Sequence, residues 1–142
     1  MVLADTGFWV AVANRKDKHH ELAKERLRAL GEPLITTWPV MTETCHLLLT
    51  RLGSRSQRTF VESFSAGAFD VFELERRHAP RVSDLMDKYA DLPMDLADAS
   101  LVLLAEELGH GRILSTDTRD FGAYRWKQHE PFENLLLRPS GS

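Results

Sequence analysis

The sequence holds a single cysteine, Cys45, so no disulfide can form within the chain. No Cys/His set stands at zinc-binding spacing either. Cys45 sits in the apolar helical run "TETCHLLL" and reads as a small buried hydrophobe. No stretch approaches the ~18 apolar residues of a membrane span. No basic segment followed by an apolar one resembles a secretory leader. A reducing cytoplasm is therefore the expected compartment, with no membrane partner. Positive charge is not in surplus: 18 Lys and Arg face 21 Asp and Glu, a net charge of −3. That excludes a polycation, although a local basic patch would still suffice to hold nucleic acid. Repeats, low-complexity segments and domain linkers are missing as well.

What is present suits one domain. The 142 residues are 43% hydrophobic, enough for a sizeable core. Residues 1–138 are expected to form that domain, and the polar end, 139–142, to fray. "MVLAD" reads as a short buried strand ending at Asp5, followed by a helical "TGFWVAVANRKD". "HHELAKERLRALG" is a helix with Ala23, Leu27 and Leu30 at helical spacing. "PLITT" is a strand, and "WPVMTETCHLLLTRLG" a helix with Pro39 in its first turn. "SRSQRTFVESFSAG" is a helix capped by Ser54. "FDVFEL" alternates as a strand. Residues 75–89 are mostly helical, and Asp95 to Leu108 form a further helix. "RILSTD" is a strand ending at Asp117, and "PFENLL" a last strand. Short apolar strands alternating with helices predict an α/β fold, with a mostly parallel sheet covered on both faces.

Parallel sheets of this kind bind ligands at the carboxyl ends of their strands. Asp5 and Asp117 each stand at such an end. Glu43 falls early in the helix after the second strand. Asp98 is at the third position of the helix that Asp95 caps. Four distant carboxylates are thus expected to share one edge of the sheet. Two such groups about 5 Å apart repel by roughly 3 kcal/mol at an effective dielectric near 20. A hard divalent cation would relieve that repulsion, and an all-oxygen donor set favours Mg²⁺, with Mn²⁺ as substitute. Metal held this way can activate water for phosphodiester cleavage.

The stretches "LADTGFWVAVANRKDKHHELA", "TTWPVMTETCHLLLTRLG", "LPMDLADASLVLLAEELG" and "RILSTDTRDFGAYRW", in this order, resemble the PIN-domain nucleases, most closely the VapC-type toxins of toxin–antitoxin pairs. The resemblance implies a three-layer α/β/α sandwich and Mg²⁺-dependent endoribonuclease activity on a structured RNA such as tRNA or rRNA. It also implies a homodimer, and a VapB-like antitoxin whose carboxyl-terminal segment lies over the active site. Asp5 and Asp98 would be the principal metal ligands, with Glu43 and Asp117 completing the acidic pocket. Thr6, Asp95, Ser115, Thr116 and Asp120 are possible accessories. Asp120 could equally cap the turn before Phe121.

RNA would need cations around that pocket. Arg15, Lys16 and Lys18 follow the first strand-loop unit. Arg51, Arg55 and Arg58 surround the "RLGSRS" turn. Arg119, Arg125 and Lys127 follow the last acid. Each is a candidate phosphate contact, and each could instead be part of a solvated face. Trp9 reads as core. Trp38 reads as core or groove wall, and Trp126 could stack on a base. His19 and His20 are adjacent, so they do not share a helix face, and solvent exposure or capping is expected of them.

Rival readings are a housekeeping nuclease acting on RNA or DNA and a non-catalytic binding module of the same fold. A phospho-receiver domain would need an acidic pair after the first strand. A haloacid-dehalogenase-type phosphatase would need Asp-x-Asp there. This chain has Asp5-Thr6-Gly7.

Overall fold

The computed structural model describes residues 1–137; the expected frayed tail lies outside the described residues. Strand β1 (Val2–Ala4) is buried throughout and runs straight into helix α1 (Thr6–Ala13). Helix α2 (His20–Ala29) leads to the wholly buried strand β2 (Leu34–Thr37). Helix α3 (Trp38–Leu52) follows without a loop. Thr37 is its N-cap, accepting from the Val40 N–H, and Pro39 sits in the first turn, where no donor is needed. Gly53 adopts φ 104°, a region open to glycine, and turns the chain into α4 (Ser54–Ser65). Ser54 is therefore not the cap expected of it: Gly53 holds that position, and Ser54 is already helical.

Strand β3 (Asp70–Phe72) and a 3₁₀ turn (Arg76–His78) precede α5 (Ala79–Lys88). Helix α6 (Leu96–Leu108) is apolar nearly all round, with eight buried residues between Ala97 and Ala105, as befits a helix enclosed by the core. Strand β4 (Arg112–Leu114) and helix α7 (Thr118–Ala123) come next. Strands β5 (Arg125–Trp126) and β6 (Glu130–Pro131) form a small antiparallel hairpin, and β7 (Glu133–Asn134) ends the series.

The central sheet has five parallel strands in the order β3-β2-β1-β4-β7. Helices flank it, making the three-layer α/β/α sandwich anticipated from the sequence. The chain builds outward from β1 to β2 and β3, then crosses back to place β4 on β1's other side. The β1/β4 seam is thus the point where strand order reverses, and a crevice opens there at the carboxyl ends. Trp9 is in the core, packed against Phe8, Phe60 and Phe69. No helix among the described residues is long and apolar enough to cross a membrane.

Several side chains depart from expectation. His20 is buried, not exposed; its Nδ1 donates to the Ala11 carbonyl at 2.7 Å and pins α2 to α1. Leu27 is 39% exposed and Cys45 half-buried. Trp126 is tied into the hairpin by its indole N–H, which donates to the Pro131 carbonyl at 3.0 Å.

Candidate active site

Each acid is delivered by a helix start. Asp5 is the N-cap of α1: its Oδ1 accepts from the Thr6 N–H at 2.7 Å, and its Oδ2 from the Ser115 hydroxyl at 3.0 Å. The Asp5 N–H donates to the Leu114 carbonyl, stitching the ends of β1 and β4 together. Asp117 is the N-cap of α7, accepting from the Asp120 N–H at 2.9 Å, while its own N–H donates to Ser115 Oγ. The cap is thus Asp117, and Asp120 supplies only the N–H. Asp95 and Asp98 form a capping box on α6: Asp98 N–H donates to Asp95 Oδ1 at 2.8 Å, and Asp95 N–H reaches back to Asp98 Oδ2 at 3.5 Å. Glu43 projects from the second turn of α3. The Thr37 and Ser100 hydroxyls, 2.6 Å apart, bridge α3 and α6.

These acids line one cavity of about 400 Å³ at the switch point, bordered by Asp5, Asp17, Glu43, Asp95, Asp98, Asp117 and Asp120, with Thr6, Thr116 and, among the described residues, a single cation, Arg51. All four acids read from the sequence are brought together, as are the accessories Thr6, Asp95, Thr116 and Asp120. Asp17 was missed: it lies in the loop after α1, where its carboxylate accepts from the His19 N–H and no periodicity marks it. Tyr124 was missed too, although its hydroxyl donates to Asp98 Oδ2 at 3.1 Å.

The electrostatics reflect the crowding of acids. Burial pushes the Asp5 carboxyl up to about 6, and the charges of Glu43 and Asp117 add to the shift. Asp98 is raised strongly by burial, then by Asp95 and Asp5. Glu43 is raised by burial, tempered by the nearby Thr6 hydroxyl. That hydroxyl nonetheless makes no hydrogen bond of good geometry, leaving a buried polar group unspent at the cavity wall. Asp117 is raised by burial, and the Asp120 carboxylate adds to the shift. Helix N-termini hold these groups in place but do not cancel their mutual repulsion.

Among the described residues the donor set is oxygen only, with no His or Cys on the wall, and it suits a hard divalent cation. Among the described residues no three acids already stand at ligating separation. The carboxylates border the cavity and do not converge on a point.

The cations separate sharply. Arg51 shares a face of α3 with Leu47 and Glu43 and lines the cavity. Arg15 lies on another surface beside His20, Lys24 and Arg28, and Arg55 borders an apolar recess with Trp9 and Phe60. Arg119 pairs with Asp120 at 3.4 Å. The Arg125 guanidinium is turned onto the Gly122 and Tyr124 carbonyls. Lys16 is exposed, and its N–H closes a turn on Asn14. Gly7 explains itself sterically: a Cβ there would stand 1.9 Å from Thr116 Oγ1.

Comparison with known proteins gives the same architecture. The family model described as the PIN domain matches residues 2–127. Ribonuclease VapC26 of Mycobacterium tuberculosis (strain ATCC 25618 / H37Rv) is 24% identical over 124 residues, 87% of this chain and 92% of that protein. The crystal structure of M. tuberculosis VapC20, a Sarcin-Ricin loop cleaving toxin, superposes with a TM-score of 0.78 at 19% identity, covering 84% of this chain and 92% of that one. At that identity the second likeness speaks for the fold.

Proposed function

The chain belongs to the PIN-domain family, and on that premise we propose that it is a Mg²⁺-dependent endoribonuclease, the toxin of a VapBC-type pair. The observation that carries this reading is the acidic cavity at the β1/β4 switch point. There Asp5, Glu43, Asp98 and Asp117, drawn from four elements, face one space with, among the described residues, only one cation on its wall. The nuclease name of the relative and the toxin title of the structural neighbour support it.

Asp5 and Asp98 would be the principal ligands of Mg²⁺, or of Mn²⁺ in its place, and Glu43 and Asp117 would complete the shell. The cation, when bound, supplies water activation and charge neutralisation at the phosphodiester. The protein's own part is to fix the acids. Ser115 and the Thr6 N–H hold Asp5, and the capping box orients Asp98. Glu43 or Asp117 orients the attacking water and takes its proton. Arg51 receives a phosphate of the strand. RNA over DNA would be decided by contacts to the 2′-hydroxyl.

A structured RNA is the proposed substrate, a VapB-like antitoxin the partner, a homodimer the assembly and the cytoplasm the compartment. Trp38, Leu49, Leu52 and Val61 are exposed apolar side chains on α3 and α4 that a partner could cover.

The test is the purified chain offered tRNA, rRNA fragments, and single-stranded and duplex DNA, with and without Mg²⁺ or Mn²⁺. Cleavage of an RNA only in the presence of metal is expected. Metal-independent cleavage, or none of any RNA, would refute the reading. Growth arrest on expression, relieved by co-expressing the neighbouring gene's product, separates a toxin from a housekeeping nuclease.

A further inference from the structure

Tyr124 is fully buried, yet its hydroxyl ends on Asp98, one of the acids of the cavity. Its ring is wedged edge-on against Tyr89 and Phe121, with centroids 5.0 and 5.3 Å away. Its N–H closes α7 on the Asp120 carbonyl at 2.8 Å, and its carbonyl accepts from the Arg125 guanidinium at 2.9 Å. The hydroxyl therefore has little freedom to search for partners, and the partner it has is Asp98 Oδ2 at 3.1 Å. That oxygen also receives the long bond from Asp95 N–H. Among the described residues, Asp98 Oδ1 accepts no hydrogen bond. One oxygen of the carboxylate is fastened and the other is left over.

Helix α7 gives this contact a second meaning. It carries Asp117 at its first cap and Tyr124 at its last. Through Tyr124 the same short helix that places Asp117 also grips Asp98, which belongs to α6. We infer that Tyr124 is a positioning residue for the metal site, fastening Asp98 Oδ2 so that Oδ1 is the oxygen offered to the cation, in register with Asp117. The inference rests on the nuclease reading. Hydrogen-bond partners behind a metal ligand set its orientation, and losing one costs about 10- to 100-fold in metal affinity or activity.

The experiment is Tyr124→Phe in the full chain, titrated with Mn²⁺ by calorimetry in the absence of RNA and then assayed for RNA cleavage. Mn²⁺ affinity should fall about tenfold or more, and kcat should fall while the KM for RNA stays put. Tyr89→Phe is the control for merely losing a hydroxyl from this aromatic cluster, since Tyr89 Oη accepts from the Arg125 N–H and touches no acid. It should bind Mn²⁺ as the parent does. Unchanged Mn²⁺ affinity in Tyr124→Phe, or an equal loss in both variants, overturns the inference.

Should Tyr124→Phe not fold, Tyr89→Phe leaves Tyr124 as the chain's single tyrosine, for the sequence has two. Its ring-labelled NMR signal should then shift on adding Mg²⁺, and an unmoved signal is equally fatal. If the parent binds Mn²⁺ but Tyr124→Phe does so just as well, this inference alone fails. If the parent binds no divalent ion and cleaves no RNA, the nuclease reading falls and takes the inference with it.

Discussion

At the amino-terminal ends of the strands, Glu32 just before β2 and Arg112 at the start of β4 meet as a bidentate pair, at 2.8 and 2.6 Å. At the carboxyl ends of the same sheet, among the described residues, seven carboxylates share a cavity with one guanidinium. At the first end the Arg112 guanidinium holds the Glu32 carboxyl below its usual range; at the second, burial and neighbouring acids push Asp5 and Asp98 up. The contrast separates charge arranged for the fold from charge arranged against it. A surface pair adds little and asks for nothing further. An acidic crevice is a standing cost that a bound cation can reverse.

The sharpest way to break the contrast is Asp98→Asn. Cleavage should fall by on the order of a thousandfold, the scale of losing a principal electrostatic stabiliser. The metal-free variant should nevertheless melt higher than the parent at neutral pH, because folding no longer has to hold the Asp98 carboxyl far above its usual range. An active Asp98→Asn, or one that melts lower, would place the strain elsewhere.

Gly7→Ala should come next. The new Cβ must displace Thr116 or α1, and overpacking of this kind costs about 1–3 kcal/mol. Thermal melts and cleavage rates should both fall.

The pH dependence of the metal-free protein is the third test. Burial pushes the Asp5 carboxyl of the folded chain up to about 6, against an ordinary 3.8. Its contribution to stability is therefore fully present below about pH 4 and is lost as pH rises through about 6. The gap between the two bounds the loss at about 3 kcal/mol. Urea melts across that window should show the fall, and Mg²⁺ at neutral pH should restore much of it.

Arg51→Gln is expected to raise the KM for RNA and to lessen the salt slope of binding by about 0.7 to 0.9, one phosphate's worth. The smallest effects belong to Asp95→Asn, which keeps the α6 cap, and to Glu32→Gln at the paired end of the sheet. Both should leave cleavage within a few-fold of the parent and shift the melt only slightly.

Much of this crevice could be read from the chain because its acids follow apolar strands or start apolar helices, and those patterns are local. Asp5 after "VLA" announces the strand end itself, whereas β4 ends at Leu114, short of the expected Asp117, which caps α7 instead. Asp17 and Tyr124 could not be read that way. One stands in an irregular loop. The other is defined by a partner 26 residues away, across two elements. The β5–β6 hairpin was hidden for a different reason. Its turn runs through Lys127 and Gln128 at positive φ, without the glycine that advertises such turns. The α3–α4 joint misled in the opposite sense: a serine in cap position was available, but the backbone needed Gly53 there. Arg51 was one of nine basic candidates until the fold set it on the face of Glu43. Spacings of four and eight along α3 were the available signal.

Asp5, Asp95 and Asp117 each also begin a helix, with a side-chain oxygen accepting from an N–H of the first turn. Asparagine can do that work without charge. For such a molecule, loss of catalysis and loss of architecture are separable by single-atom changes. One oxygen exchanged for nitrogen at Asp5 or Asp117 would leave a chain that still folds and still presents the same surface. The route from an active enzyme to an inert scaffold of the same shape is therefore short and runs through stable intermediates.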